Sequence, residues 1–192
     1  MPDTTDHLQA VHEIVEGLHA LGLAPVLVGG MALVVLGSRR VTRDFDFVIA
    51  RPGDRLDRTV HLFYDHGLEL VSRLNETGDV ISTIANRKVA AIRLRLDAPK
   101  SAYFFNEETG LRVDLLFDFP ILAQELAQHG TRIKIRSHTF IIASEEDLLR
   151  LKKIAHAARS APGDAEDIAF LESRRKPSTS TSGRKSRFRR PK

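Results

Sequence analysis

The chain has 192 residues, no cysteine and 42% hydrophobic residues, so it can bury a core but cannot form a disulfide framework or a cysteine-based metal or redox site. Its first residues are acidic and polar, unlike a signal peptide. The most apolar stretch, 24–37, is shorter than the roughly 20 residues of a membrane span. We therefore expect a soluble, cytoplasmic protein without a membrane partner.

Charge is divided unevenly along the sequence. Residues 174–192 contain nine Lys or Arg and no acidic residue, and subtracting these from the net charge of +4 leaves −5 for residues 1–173. A segment with so little to bury is expected to be disordered. Two interpretations stay open for this basic tail: it adds salt-sensitive affinity for RNA, or it is a solubilising extension.

The first half of the chain alternates between helical and extended patterns. Apolar residues at steps of three and four predict an amphipathic helix at the N-terminus. Short β-branched runs bounded by glycine or proline predict strands. In chain order we predict a helix at 5–21, a strand at 25–28, a short helix at 31–37, a strand at 44–50 and a helix at 54–66.

The second half is read in the same way. Period-two alternation predicts strands at 89–96 and 111–117, and Ser144 is a good N-cap for a helix. The remaining elements are a helix at 120–129, two short strands within 131–142 and a helix at 164–172. The result is an α+β fold with a mixed sheet: a core over 1–143, C-terminal helices over 144–172 packed on it, and the tail over 173–192.

Asp44 and Asp46 are the first candidate site residues. Side chains two apart on a strand project from the same face, roughly 7 Å apart at the backbone. Like charges so placed repel each other unless a cation neutralises them. A divalent ion is the simplest such cation, and hard oxygen ligands favour Mg²⁺ or Mn²⁺.

Asp114 is a third candidate, a single acid on one face of a predicted strand whose other face carries Val113, Leu115 and Phe117. An acid inside an apolar strand is not placed there for stability, because burying an unpaired charge is unfavourable. If this strand lies beside the strand of Asp44 and Asp46, three carboxylates converge, which suits a two-metal site.

Gly29-Gly30 follows a buried strand and precedes a helix. Such a turn offers free backbone N–H groups at a helix N-terminus, where phosphates bind, and the missing Cβ atoms permit close approach. A Gly-Gly turn or an Asp-x-Asp is common by itself. Their joint order, with a later strand Asp, is what indicates function.

At these residues the sequence resembles the nucleotidyltransferase superfamily that includes DNA polymerase beta. The shared pattern is Gly-Gly or Gly-Ser, a short helix, Asp-x-Asp on a strand and a third strand Asp. Within that superfamily the chain is most similar to the AbiEii/MenT-type group of minimal nucleotidyltransferases, several of which are toxins of toxin–antitoxin pairs. The resemblance covers about residues 10–172, and two further segments carry the narrower match: Val41-Thr-Arg-Asp-Phe-Asp, and Lys152 followed by Asp164 and Asp167.

The resemblance implies a metal-dependent transferase that moves a nucleotide from a nucleoside triphosphate such as ATP to an acceptor hydroxyl. Asp44, Asp46 and Asp114 would be catalytic and would bind Mg²⁺ or Mn²⁺. Gly29, Gly30, Arg43 and Lys152 would bind the nucleotide, and Asp164 and Asp167 would hold the terminal helices or Lys152. Arg39, Arg40 or Arg43 would neutralise the leaving group. Acidic residues at a helix start are also explained by the helix dipole alone, and Lys152 by an exposed helix face.

Several functional alternatives stay open. The acceptor is RNA, particularly a tRNA end, a protein hydroxyl or a small molecule, in that order, and an antitoxin would be a partner if the protein is a toxin. The competing class is a catalytically silent protein of the same fold, acting as an antitoxin or pseudoenzyme. A nucleic-acid-binding module acting through the tail alone would leave the strand aspartates unexplained.

Overall fold

The computed structural model describes residues 4–159 and 162–175. Helices and strands alternate along these residues around one sheet. In chain order the elements are α1 (Thr4–Ala20), β1 (Val26–Val28), α2 (Gly29–Val35), β2 (Asp44–Ile49), a short 3₁₀ turn (Gly53–Arg55), α3 (Leu56–Asp65), β3 (Glu69–Leu74), β4 (Val80–Ile84), α4 (Arg87–Asp97), β5 (Ser101–Phe105), β6 (Arg112–Phe117), α5 (Ala123–His129), β7 (Thr131–Ile135), β8 (His138–Ile142), α6 (Glu145–Arg159) and α7 (Pro162–Arg175).

The sheet is mixed, as the sequence predicts. Its strand order is β4-β3-β5-β6-β2-β1-β8-β7. β2 and β6 are parallel, as are β1 and β8, and the other neighbours are antiparallel. The parallel pair β2–β6 lies near the centre of the sheet, so residues on either strand are supported from both sides.

The two faces of the central strands differ in character. On β2, Phe45, Phe47 and Ile49 are buried, whereas Asp44 and Asp46 on the other face are only half-buried. The apolar face joins a core in which Phe63 of α3 stacks on Phe104 of β5, with ring centroids 4.1 Å apart. Burial of these aromatic side chains stabilises the strands that carry the acidic residues.

The segment 89–96 is helical, so the prediction of a strand there is wrong. It belongs to α4, whose first turn is capped by the Asn86 side chain, which accepts hydrogen bonds from the backbone N–H groups of Lys88 and Val89. The alternation of arginine with leucine imitates a strand. Burial instead follows a helical spacing, with Ala90, Ala91 and Leu94 inside. Ala, Leu and Arg also favour helix.

The C-terminal helices share the core of the sheet, because Leu148, Leu149 and Leu171 belong to the same buried cluster. The Ser144 hydroxyl caps α6 by accepting a hydrogen bond from the backbone N–H of Asp147 at 3.1 Å, as predicted. α7 continues to Arg175, two residues past the predicted start of the tail at 173. Arg174 stabilises this end by pairing with Glu145 at 2.7 Å. The rest of the predicted tail lies outside the described residues.

Within 4–159 and 162–175, none of the helices combines the length and the apolar character that a membrane span requires.

Candidate active site

The predicted neighbour relation between the two acidic strands is confirmed. β2 and β6 run parallel with Asp46 directly beside Asp114 and Asp44 beside Arg112. Because side chains alternate along a strand, all four of these side chains lie on one face of the sheet. The three predicted carboxylates are therefore brought to one surface, together with an arginine.

Asp114 is the most buried of these acids, with 6% of its surface exposed. Both of its carboxylate oxygens accept hydrogen bonds from Arg112, Nε to Oδ1 at 2.8 Å and Nη2 to Oδ2 at 2.9 Å. Arg112 also donates from Nη1 to the carbonyl of Gly78 at 3.1 Å, and its guanidinium lies 5.0 Å from the centre of the Tyr103 ring. Asp114 is thus held by a fork-shaped ion pair.

Burial and mutual repulsion raise the pKa values of Asp46 and Asp114. The pKa of Asp114 is raised to about 7, because burial and the negative charges of Asp46 and Asp44 together outweigh the lowering by the Arg112 contacts, with burial the largest cause. The pKa of Asp46 is also raised, mainly by burial and then by the negative charge of Asp44, although Lys152 and Arg112 lower it. An acidic cluster whose members disfavour one another's ionisation is a place where a cation is stabilising.

Gly29 and Gly30 begin α2 immediately beside Asp46. Gly29 has φ +64°, and a Cβ there would lie 1.9 Å from Asp46 Oδ2, so a side chain at this position would be strained and would require Asp46 to move. The backbone N–H of Gly30 faces the Asp46 carboxylate and lowers its pKa. The role of Gly29 and Gly30 in binding phosphate stays a prediction.

Lys152 is anchored between two acids of α7. Its Nζ lies 3.2 Å from Asp164 Oδ1 and 2.7 Å from Asp167 Oδ2, and 11% of its side chain is exposed. Asp167 also pairs with Arg40. Lys152 is therefore not an exposed helix lysine. Asp164 and Asp167 do more than begin a helix, because they hold the Lys152 ammonium close enough to Asp46 to lower the pKa of that acid.

These residues line one cleft of about 950 Å³. Arg40 and Arg43 lie on its wall, whereas Arg39 is exposed and does not line it. The cleft has a basic side near Lys152 and an apolar side beyond Asp114, and all seven site residues predicted from the sequence border it. The apolar side is formed by Leu74, Val80, Tyr103, Phe105, Leu116 and Phe119.

The donor chemistry of the cleft fits Mg²⁺ or Mn²⁺. Three carboxylates on one face, two with raised pKa values, are hard oxygen donors that a divalent cation would stabilise. Among the residues that the structure describes, however, no three acidic or histidine side chains are already grouped as metal ligands. Arg112 takes up both oxygens of Asp114, so the side chains must rearrange for that acid to bind a metal.

Sequence reasoning missed Arg112 and Tyr103. A signal for Arg112 was present, because it stands two residues before Asp114 on the same strand and so shares its face. Tyr103 had no comparable signal. It lies opposite Asp114 only because β5 pairs antiparallel with β6, which the sequence pattern does not reveal.

Solved structures identify the fold as that of nucleotidyltransferases. The lincosamide antibiotic adenylyltransferase LnuA, solved with lincomycin, aligns over 86% of this chain and 96% of its own, with a TM-score of 0.53 and 14% identity. The antibiotic-resistance factor ANT(2'')-Ia aligns over 90% and 85%, with a TM-score of 0.55 and 13% identity. A nucleotidyltransferase-like protein from Paracoccidioides brasiliensis aligns over 86% and 75%, with a TM-score of 0.53 and 18% identity.

The fold that the resemblance predicted is therefore confirmed. No protein-family model matches the sequence, and no curated protein does. The narrower resemblance to the AbiEii/MenT group stays a prediction.

Proposed function

We propose that this protein is a metal-dependent nucleotidyltransferase that transfers a nucleoside monophosphate from a nucleoside triphosphate to an acceptor hydroxyl and releases pyrophosphate. The observation that carries the proposal is the register of β2 and β6. It sets Asp46 beside Asp114, with Asp44 on the same face, in a cleft that also contains Lys152. The fold shared with the adenylyltransferase LnuA supports the same reaction class.

The carboxylates of Asp44, Asp46 and Asp114 would hold one or two divalent ions. When bound, Mg²⁺ or Mn²⁺ supplies positive charge that offsets the negative charge developing on the phosphates and polarises the reacting oxygens. The raised pKa values of Asp46 and Asp114 are consistent with acids that are stabilised when a cation is present.

The basic side of the cleft would bind the triphosphate. The Lys152 ammonium has three N–H donors, and its contacts with Asp164 and Asp167 leave it able to contact phosphate as well. Arg40 and Arg43 lie on the same wall and would neutralise the departing pyrophosphate. Gly29 allows the backbone to approach closely because a side chain there is excluded.

Asp114 would take the proton of the acceptor hydroxyl. The freed acceptor oxygen forms a bond to the α-phosphorus, the bond from that phosphorus to the bridging oxygen breaks, and pyrophosphate leaves with the electron pair. A carboxylate within hydrogen-bond reach of the acceptor hydroxyl can act as a general base in this step.

A labelling experiment tests the reaction class. The full chain is incubated with each α-³²P-labelled nucleoside triphosphate, Mg²⁺ and, in turn, total RNA, cell protein and aminoglycoside or lincosamide antibiotics. We expect label to enter one acceptor class, and Asp46→Asn to reduce the rate of labelling about 10²–10³-fold. Asp54→Asn, which removes an exposed carboxylate outside the cleft, serves as the control. Near-normal transfer by Asp46→Asn would rule out the assigned site.

A second candidate is a catalytically silent protein of the same fold. The ion pair between Arg112 and Asp114 favours it, because an acid neutralised by an arginine does not need a metal. This candidate predicts nucleotide binding without labelled product in any of the three acceptor classes.

The acceptor is proposed to be RNA, since the basic residues of 174–192 suit a polyanion. LnuA was solved with lincomycin and ANT(2'')-Ia with adenylyl-2''-tobramycin, so small-molecule acceptors belong in the same experiment. A role as the toxin of a toxin–antitoxin pair and a cytoplasmic location remain hypotheses that rest on the narrower resemblance and on composition.

A further inference from the structure

We propose that Arg112 is a positioning residue that acts through Asp114. Its guanidinium neutralises the carboxylate while the site is empty of metal and leaves it when a divalent ion binds. The contact that carries this inference is the two-pronged pairing of Nε with Oδ1 at 2.8 Å and of Nη2 with Oδ2 at 2.9 Å. The inference rests on the proposed function only in taking Asp114 as a ligand of the ion.

The two cations compete because they need the same oxygens. A Mg²⁺ ion lies about 2.0–2.1 Å from its oxygen ligands, and the arginine nitrogens already lie 2.8 and 2.9 Å from those of Asp114. The ion and the guanidinium would then be within about 6 Å of each other, where like charges repel strongly. Solvent screens this repulsion weakly, because the side chains of Arg112 and Asp114 are only 17% and 9% exposed.

Arg112 has two contacts that do not involve Asp114. Its Nη1 donates to the carbonyl of Gly78 at 3.1 Å, and its guanidinium faces the Tyr103 ring at 5.0 Å. Gly78 belongs to the turn between β3 and β4, and both residues line the cleft. An arginine released by Asp114 therefore stays attached to the apolar side of the cleft, and its charge remains near the site.

Metal binding without turnover gives the direct test. Free Mn²⁺ is titrated by electron paramagnetic resonance against the wild type, Arg112→Gln and Arg112→Lys. Arg95→Gln is the matched control, since Arg95 pairs with Asp57 on the surface outside the cleft. We expect Arg112→Gln to bind Mn²⁺ about tenfold more tightly than the wild type, as follows from removing one cation next to the carboxylate. The Mn²⁺ affinity of Arg112→Lys should lie between those of Arg112→Gln and the wild type, and the affinity of Arg95→Gln should match that of the wild type.

An unchanged or weaker Mn²⁺ affinity in folded Arg112→Gln overturns the inference, because a residue with a purely structural role would alter stability and leave metal affinity alone. The proposed function fails separately. If the wild type and Asp46→Asn bind Mn²⁺ equally, the acidic cluster is not a metal site, whatever Arg112 does.

A measurement on the wild type keeps the inference testable if Arg112→Gln does not fold. The Nε–H resonance of Arg112, assigned through its proximity to the Tyr103 ring, is followed by NMR while Mg²⁺ is added. We expect it to shift and to exchange faster with solvent as the bond to Asp114 is lost. A resonance unchanged at saturating Mg²⁺ contradicts the inference.

Discussion

Gly29 shows how a single backbone position controls the acidic site. It combines a left-handed backbone, φ +64°, with contact to Asp46, whose Oδ2 would lie 1.9 Å from an added Cβ. Gly53 has a similar φ of +55° but nothing within 4 Å of the position of its Cβ. Alanine substitutions at Gly29 and Gly53 therefore separate the effect of backbone strain, which both share, from the clash with Asp46, which only Gly29 has.

We predict that Gly53→Ala lowers the free energy of unfolding by about 1–2 kcal/mol, the strain of a left-handed alanine. Gly29→Ala should lower it by more than this and should also abolish nucleotide transfer, because Asp46 has to move. Urea unfolding and the labelling assay measure the two effects. Equal destabilisation by both substitutions, with activity kept, would show that Asp46 tolerates the extra methyl group.

The raised pKa of Asp114 predicts a pH dependence of stability in the absence of metal. Its pKa is about 7 in the folded protein against an ordinary value of 3.8. Between these values the folded state keeps a proton that the unfolded chain has released, so the contribution of Asp114 to stability falls as pH rises and is constant above about pH 7.

Asp114→Asn removes this titration. In EDTA, the free energy of unfolding of Asp114→Asn minus that of the wild type should increase by about 1–3 kcal/mol as the pH rises from 5 to 8. Loss of the Arg112 pair adds an offset that does not change with pH. Asp54→Asn, an exposed acid, is the control and should give no such trend. Parallel stability profiles for Asp114→Asn and the wild type would mean that the folded protein ionises Asp114 normally.

At the level of elements, two neighbouring lysines join α6 to α7 in different surroundings. Lys152 pairs with Asp164 and Asp167 and is 11% exposed, whereas Lys153 pairs with Glu172 at 2.8 Å with both side chains about half exposed. A buried pair is strongly destabilised when one partner is removed, because the other charge stays buried. An exposed pair contributes little.

We predict that Lys152→Ala lowers the free energy of unfolding by about 3–5 kcal/mol, and that Lys153→Ala lowers it by less than about 1 kcal/mol. Chemical denaturation of both variants checks this difference. A similarly small loss of unfolding free energy in both variants would mean that Lys152 is solvated rather than held between the two acids.

The element that sequence patterning missed, α4, shows the limit of periodicity. The alternating run from Ile92 to Leu96 fits a strand as well as it fits a helix with arginines between its leucines. The Asn86 cap and the packing of Ala90, Ala91 and Leu94 decide for the helix. By contrast, β2 and β6 were predicted correctly, because their apolar faces are rich in aromatic and β-branched residues.

For the whole molecule, the proposed ligands should stabilise the fold together. A ligand present at about 100 times its dissociation constant raises the free energy of unfolding by about 2.7 kcal/mol. For a chain of this size each kcal/mol raises the melting temperature by about 2–4 °C. We therefore predict a rise of about 5–10 °C with Mg²⁺ and a non-hydrolysable triphosphate, measured by differential scanning fluorimetry. EDTA or Asp46→Asn should abolish the rise, and its persistence in either case would separate nucleotide binding from the acidic cluster.

Residues 176–192 contribute seven of the basic residues in the chain and lie outside the described part of the structure. If the acceptor is RNA, deleting them should weaken RNA binding and flatten its dependence on salt, because each lost phosphate contact reduces the slope by about 0.7 for single strands. Filter binding at several salt concentrations measures this slope. Unchanged affinity would leave the tail as a solubilising extension.

The sequence alone determined which residues are chemically suited to the site and which face of each strand they occupy, because alternation along a strand is a local property of the backbone. It also indicated the mixed sheet and the glycine turn. Only the tertiary structure decided what lies beside each acid. Strand order and register placed Asp114 between Asp46 on one neighbouring strand and Tyr103 on the other. Helix packing placed Lys152 between two acids. These contacts join residues far apart in the chain, and their free energy depends on burial and distance that no local pattern contains.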